Sequence, residues 1–207
     1  MAGTRYSTPL GADSGSDVVD AGTLSRTASP LAGPIGLSGD ALPADAGSSV
    51  PLGTQVVQFA QARRRRRVGD GECFALADQA LRHAGGKSAS DFGTITADAD
   101  YVWGTSVAVG NVQPGDILQF RDYKYTRRND KADGGWQETS QERPHHTAIV
   151  VSNDGNGLLT VTEQNAPPGS AVREIQLGFT STTFESGGTK VTITVSGQVS
   201  FYRPQAR

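Results

Sequence analysis

The residues of this chain best suited to chemistry are its single cysteine and a pair of adjacent histidines. Cys73 follows two closely spaced glycines in the segment GDGEC, residues 69–73, and opens a stretch with helical spacing of apolar residues. At the first turn of a helix, unpaired N–H groups and the helix dipole favour a thiolate over a thiol. A thiolate attacks carbonyl carbon, so Cys73 is a candidate nucleophile. The alternative role is that of a buried structural cysteine, which is common.

A cysteine nucleophile needs a base that can also protonate the leaving amine, and the chain has three histidines. His83 lies on the same predicted helix as Cys73, about 15 Å further along its axis, and is too far away. His145 and His146 open a predicted strand. Neighbouring strand residues point to opposite faces, so only one of them can face Cys73. The same alternation makes them a poor pair of ligands for one ion, so the sequence predicts no metal site.

An imidazole base also needs an acceptor that orients its other ring nitrogen. Glu163 and Asn165 lie two positions apart at the end of a predicted return strand, so both would face one side and Gln164 the other. A hairpin pairs this strand with the histidine strand, which predicts a carboxylate and an amide beside the imidazole. The alternative is a polar outer face near a turn. The backbone N–H of Cys73 is the predicted oxyanion donor.

The elements that would position these residues are a helix and a set of antiparallel strands. Apolar spacing predicts a helix over residues 72–84, with glycines at its end. The predicted strands cover residues 117–120, 147–152, 158–164, 190–195 and 198–202. This order predicts an α+β fold in which the N-terminal helix carrying the cysteine packs on a small antiparallel sheet. Residues 121–143 and 166–188 are polar and are predicted to be loops, the first of them a lid or an insertion.

The composition divides the chain into a tail and a folded domain. No aromatic residue occurs between Tyr6 and Phe59. Residues 1–53 therefore offer too little bulky apolar surface to offset the entropy of ordering them. The sequence predicts a disordered tail over residues 1–53 and one domain over residues 54–207. Arg63 to Arg67 form a run of five arginines, which indicates either a phosphate contact or a solvated stretch before the domain.

Charge and hydropathy limit the partners and the location of the protein. The formal net charge is -2, so the chain as a whole is not a polyanion binder, and the run from Arg63 to Arg67 is the only indication of nucleic acid. No stretch approaches the roughly 20 apolar residues of a membrane span, so no membrane partner is expected. The first residues lack the apolar region of a Sec-type signal peptide. We therefore expect a protein that is either cytoplasmic or exported by a route that reads no such signal.

The order of these motifs resembles one family of cysteine hydrolases. A Gly-x-Cys at a helix start, Pro-Gly-Asp-Ile at residues 114–117, His-x-Ala-Ile-Val from His146, Glu-x-Asn from Glu163 and a final Phe-Tyr-Arg-Pro follow one another. Residues 68–205 thereby resemble the CHAP domain, the cysteine-histidine amidohydrolase/peptidase branch of the papain-like cell-wall hydrolases. The longer segment before His145 departs from the usual pattern of that family.

The resemblance implies roles for four residues. Cys73 would be the nucleophile, His146 the base, Glu163 the residue that orients the base, and Asn165 would complete the site. The family cleaves amide bonds in bacterial peptidoglycan through a thioester and needs no cofactor. The expected function is therefore a cysteine amidase or endopeptidase whose substrate is a peptidoglycan peptide or another peptide. The alternatives are a protein-directed cysteine protease or effector of the same fold, and a non-catalytic binding domain.

Overall fold

The computed structural model describes residues 50–207. Its two α-helices are α1 (Leu52–Gln61) and α2 (Cys73–His83). Its strands are β1 (Thr105–Val107), β2 (Ile117–Lys131), β3 (Trp136–Gly155), β4 (Leu158–Glu163), β5 (Arg173–Gly178), β6 (Thr182–Ser186) and β7 (Thr189–Arg203). Single turns of 3₁₀ helix lie at Ala89–Asp91 and Val109–Asn111.

The seven strands form one antiparallel sheet in the order β1-β7-β2-β3-β4-β5, with β6 paired to β7. The sheet dominates the described residues, and the two helices are short by comparison. The predicted α+β class with a small sheet is therefore wrong, because β2, β3 and β7 have 15, 20 and 15 residues, respectively. The helix that carries Cys73 does pack on this sheet, as the sequence predicts.

The segment 121–143, predicted to be a loop, continues β2 and β3 as a long hairpin. A β-bulge, with Asp122 at a φ of 52°, shifts the register of β2 against β7. Before the bulge Leu118 and Phe120 are buried; after it Tyr123 and Tyr125 are buried, one position out of phase. An extra residue at a bulge breaks the two-residue period of a strand. The apolar alternation in the sequence therefore stops at Phe120 although the strand continues.

Beyond the bulge the hairpin is polar because much of its surface faces water. Lys124 stands opposite Glu142 and forms an ion pair with it at 2.9 Å. Near the tip, Trp136 is 60% exposed and the guanidinium of Arg128 lies 4.7 Å from its ring centroid. Cross-strand pairs of opposite charge, or of a cation and an aromatic ring, stabilise the exposed part of a hairpin.

The segment 166–188 also contains strands rather than one loop, because it supplies β5 and β6. The sheet curls so that β5 approaches β2 and β7. Tyr123 donates a hydrogen bond of 2.6 Å from its hydroxyl to the carbonyl oxygen of Gly178. A Cβ at Gly178 would lie 2.6 Å from the ring of Tyr125, so this close approach requires glycine.

The curled sheet separates two hydrophobic cores. In the first core, Ile117 and Ile149 of the sheet pack against the helices. This core also contains Trp103 and, from α2, Leu76 and Leu81. The sequence neighbours of the two isoleucines point to the other side, because side chains alternate along a strand. The second core lies there and contains Leu118, Phe120, Val150, Val161, Leu177 and Ile193. Both faces of the central strands are thus buried at the end of the sheet that carries the site.

Most of the predicted tail, residues 1–49, lies outside the described residues, and α1 begins at Leu52, close to the predicted domain start. No helix within residues 50–207 is long and apolar enough to cross a membrane.

Candidate active site

Cys73 is the first residue of α2 and is partly buried. The preceding turn contains Gly69 and Gly71, both with positive φ, at 60° and 95°. A Cβ at Gly69 would lie 2.7 Å from Nε2 of Gln79, so α2 packs directly on this turn. As the first helical residue, Cys73 has a backbone N–H without an intrahelical acceptor. The thiol and a free N–H group are therefore presented together at the helix start.

Gln164 holds the turn before Cys73 in place. Its side chain is fully buried. Its Oε1 accepts a hydrogen bond of 2.7 Å from the backbone N–H of Val68, and its Nε2 donates to the carbonyl oxygens of Val68 and Glu72 at 3.0 and 2.7 Å. Three hydrogen bonds of one buried amide fix the turn that precedes Cys73.

His146 faces Cys73 where β3 and β4 separate. The last pair of these strands on this side is Ile149 with Thr162. Beyond that pair, the imidazole of His146 and the backbone N–H groups of Thr147 and Phe74 lie near enough to the thiol of Cys73 to lower its pKa. His146 itself is only 4% exposed. The end of the β3–β4 ladder thus makes room for the sulfur beside the imidazole.

Glu163 lies on the other side of the imidazole. Its Oε2 is 3.3 Å from Nε2 of His146, and its side chain is fully buried. Nε2 makes no hydrogen bond of standard geometry within residues 50–207, so this contact is mainly an electrostatic one. The structure therefore brings Cys73, His146 and Glu163 together in the order thiol, imidazole, carboxylate.

Two arginines clamp the carboxylate of Glu163. Arg143, which is itself buried, donates from Nε to Oε2 at 2.9 Å and from Nη2 to Oε1 at 2.7 Å. Arg173 donates from Nη2 to Oε1 at 2.9 Å. A fork of two parallel hydrogen bonds fixes the plane of a carboxylate as well as its charge. Arg143 and Arg173 are positioning residues, because they act on His146 through Glu163.

In Cys73, His146 and Glu163, each group favours the charged form of its neighbour. Burial raises the pKa of Cys73, but its hydrogen bond with His146 and the imidazolium charge outweigh this, so the pKa lies below its ordinary value. Burial lowers the pKa of His146, but the contacts with Cys73 and Glu163 raise it overall. Burial also raises the pKa of Glu163, but His146 and Arg143 bring it down to about 2. These directions favour the charged form of each group: the thiolate, the imidazolium and the carboxylate.

Asn165 is not brought to the imidazole. β4 ends at Glu163, and Asn165 has a φ of 64°, in the left-handed region. Its Nδ2 donates to Oε2 of Glu72 at 2.7 Å, and its Oδ1 accepts from the backbone N–H of Gly169. The prediction that Glu163 and Asn165 share one face required the strand to continue, and it does not. Asn165 instead holds the loop that follows β4 against the residue before Cys73.

His145 lies in different surroundings from His146. Its Nε2 is 2.8 Å from the carbonyl oxygen of Ala99 and 3.1 Å from Nε2 of Gln119, and its ring packs edge-on against Tyr101 at 5.5 Å. Gln119 is buried and also accepts hydrogen bonds from Trp103 and Thr147. His145 thus joins the strand to the loop before β1 and has no contact with Glu163.

The two histidines are therefore predicted to differ in catalytic effect. His146→Ala should lower kcat/KM for an amide substrate by about three orders of magnitude or more, because it removes the base. His145→Ala should change kcat/KM by less than about tenfold and mainly lower the melting temperature, since it loses packing and a hydrogen bond. Steady-state kinetics on both purified variants test this, and the reverse ranking would reassign the base to His145.

Sequence reasoning missed Gln164, Arg143 and Arg173. A signal for Arg143 was present, because a glutamate that ends an otherwise apolar strand needs a cationic partner if it is buried. Arg143 stands three residues before His146 on the strand predicted to lie beside it. No comparable signal marks Gln164, since its two partner residues, Val68 and Glu72, lie more than 90 residues away in sequence.

Within residues 50–207, no group of three or more His, Cys, Asp or Glu side chains could hold a metal ion. Cys73 at a helix start, His146 on a facing strand and the buried Glu163 behind it stand in the order that a nucleophile, a base and an orienting group would need.

Comparison with known families agrees with this class of fold. Residues 37–207 match the family described as the AIM3/BBC1 cysteine proteinase-fold domain, and the chain belongs to that family. The comparisons with curated proteins and with solved structures gave no match. The expected papain-like fold is thus supported, whereas membership of the CHAP branch of bacterial cell-wall hydrolases is not.

Proposed function

We propose that this domain is a cysteine peptidase or amidase that hydrolyses amide bonds through a thioester on Cys73. The observation that carries the proposal is the row formed by the partly buried Cys73 and the buried His146 and Glu163, in which the pKa values of all three groups shift toward the charged forms. A row of unrelated core residues would not combine these shifts, because burying three charges without pairing them is unfavourable.

In the proposed mechanism, the Cys73 thiolate attacks the carbonyl carbon of the scissile amide and the C=O electrons move to oxygen. The backbone N–H of Cys73 is positioned to donate to this oxyanion. The imidazolium of His146 gives its proton to the leaving nitrogen, the C–N bond breaks, and a thioester remains on the sulfur. Neutral His146 then takes a proton from water, whose oxygen attacks the thioester. Collapse releases the carboxylic acid and restores the thiolate.

Glu163 takes no proton in this scheme. It holds the ring plane of His146 and stabilises the imidazolium, and Arg143 keeps the carboxylate ionised and fixed. The family match supports a proteinase scaffold and does not favour peptidoglycan over other peptides. The proposed substrate class is therefore a peptide amide, with peptidoglycan peptides as one case to be tested beside protein-derived peptides.

The experiment is to incubate the full chain with a mixed peptide library and, separately, with purified peptidoglycan sacculi, and to identify products by mass spectrometry. The control is the same protein alkylated at Cys73. Cleavage that alkylation prevents would support the proposal, and the product masses would identify the scissile bond. If neither substrate is cleaved and Cys73 is no more reactive than a free thiol, the proposal of a catalytic cysteine is wrong.

A further inference from the structure

The run from Arg63 to Arg67 lies outside the proposed active site and has a defined structure. The backbone N–H of Arg65 donates to the carbonyl oxygen of Val172 at 2.8 Å, and that of Val172 donates to the carbonyl oxygen of Arg66 at 2.9 Å. Arg65 has a φ of 65°, a conformation that side chains other than glycine rarely adopt. The run is thus a tight turn fixed against the segment before β5, and Arg64 to Arg67 are exposed to solvent within it.

Most of the positive charge in this turn is uncompensated. Arg64 forms an ion pair with Glu174 at 3.4 Å. In the part of the chain that the structure describes, the other four guanidinium groups form no ion pair. Arg63 packs over the ring of Phe59 and Arg67 donates to the carbonyl oxygen of Gly169. Holding five cations in one turn is unfavourable unless an anion neutralises them.

Three of these arginines line one recess of about 370 Å³. Arg63, Arg66 and Arg67 face it together with Gln79 of α2, and the rest of the lining is Ala62, Val68 and Gly69. The volume lies in the range of small-ligand sites. Guanidinium groups match the oxygens of phosphate with paired hydrogen bonds, and three of them around one recess suit a dianion better than a single carboxylate.

We propose that this recess binds a phosphomonoester group, carried on a phosphoserine or phosphothreonine side chain of a partner peptide. The small apolar part of the lining fits the carbon atoms that carry such a phosphate. Nucleic acid fits less well, because the arginines lie in a tight turn instead of along a track of phosphates. Stacking of bases needs exposed aromatic faces, and Arg63 covers the buried ring of Phe59 at 3.3 Å. The inference does not depend on catalysis by Cys73.

The turn offers a matched pair of variants for the test. Arg66 lines the recess and Arg65 does not. Both are exposed, they are adjacent, and neither side chain forms an ion pair within residues 50–207. Arg66→Gln and Arg65→Gln therefore remove the same charge at nearly the same place with little expected effect on folding. Equal melting temperatures of the two variants would confirm that they can be compared.

The experiment is calorimetric titration of the full chain, at constant ionic strength, with inorganic phosphate, a phosphoserine peptide, the same peptide with serine, and a short single-stranded oligonucleotide. The phosphopeptide should bind at least about tenfold more tightly than the serine peptide. Arg66→Gln should weaken its binding at least about fivefold, and Arg65→Gln less than about twofold. The Cys73→Ala variant should bind like the unchanged protein.

Four results would overturn the inference. Equal losses in the two variants would show that the turn acts only as diffuse charge. Tighter binding of the oligonucleotide than of the phosphopeptide would assign the turn to nucleic acid. If the phosphopeptide binds no more tightly than inorganic phosphate, the recess is a free-phosphate site. If neither phosphate nor phosphopeptide binds, the recess has no ligand of this class.

Discussion

Replacing Cys73 with alanine is expected to lower kcat/KM for amide substrates by about four orders of magnitude or more. Without the sulfur there is no thioester, and the reaction that remains depends on the oxyanion donor and on binding alone. The proposed nucleophile is the only cysteine of the chain, so no other thiol can replace it. Steady-state hydrolysis of the best peptide from the library screen measures the loss.

The same substitution should leave the domain folded. Cys73 is only partly buried, so removal of its sulfur is expected to change the free energy of unfolding by about 1 kcal/mol or less. Circular dichroism and urea unfolding of the purified variant provide this control. Cys73→Ser, which keeps the size of the side chain and supplies a poor nucleophile, should be nearly as inactive. Undiminished hydrolysis by folded Cys73→Ala would refute the cysteine mechanism.

Replacing Glu163 with alanine is expected to have the largest effect on stability, about 3–5 kcal/mol of unfolding free energy. The substitution leaves Arg143, which is only 4% exposed, buried without its partner. It also removes the carboxylate that favours the charged form of His146, so activity should fall as well. Urea unfolding at neutral pH measures the first effect.

The two arginines provide a matched control for this prediction. Arg143 and Arg173 both bind Oε1 of Glu163, but the side chain of Arg173 is 35% exposed and that of Arg143 only 5%. Arg143→Met should therefore destabilise the domain by several kcal/mol, and Arg173→Met by about 1 kcal/mol. Equal effects would mean that burial does not determine the strength of the clamp.

Acid titration gives a second readout of Glu163. Its pKa falls from an ordinary value of 4.5 to about 2 in the folded protein. A lowered carboxylate pKa contributes stability above the unfolded value, and this contribution is lost as the pH falls toward the folded value. The unchanged protein should therefore lose stability between about pH 4.5 and pH 2, and Glu163→Ala should lose less over that range.

Local sequence patterns were sufficient to predict the order of the helix and strands that carry Cys73, His146 and Glu163. The apolar spacing after Cys73 predicted a helix over residues 72–84, and α2 covers Cys73–His83. The short apolar segments at 147–152 and 158–164 predicted a hairpin, and β3 and β4 form it. These patterns can be recognised because each element buries one or both faces in a core, and the spacing of its buried residues is visible in the sequence.

The extent of the sheet could not be read in the same way. The bulge at Asp122 changes the phase of β2, and the hairpin beyond it has charged residues on both faces. A strand whose buried positions change phase at a bulge, and whose other residues are mostly polar, looks like a loop in the sequence. Its stability comes from pairing with β3 and β7, and pairing is a property of distant segments.

The surroundings of Glu163 were likewise predicted only in part. Strand alternation correctly predicted that Gln164 and Glu163 point to opposite sides. The prediction that Asn165 lies on the same side as Glu163 assumed that β4 continued. The left-handed backbone at Asn165 ends the alternation one residue after Gln164. Local sequence does not mark this change, because it depends on hydrogen bonds with Glu72 and Gly169.

The most direct test of the Cys73–His146 pair is the rate of alkylation of Cys73 by iodoacetamide as a function of pH, in the unchanged protein and in His146→Ala. The thiolate reacts, so the rate follows the ionisation of Cys73. Since His146 lowers the pKa of Cys73 below its ordinary value of 9.0, alkylation of the unchanged protein should stay fast at pH values where free cysteine reacts slowly. His146→Ala should shift the profile to higher pH, because burial alone raises the pKa. A profile that follows free cysteine and does not move in His146→Ala would contradict the account.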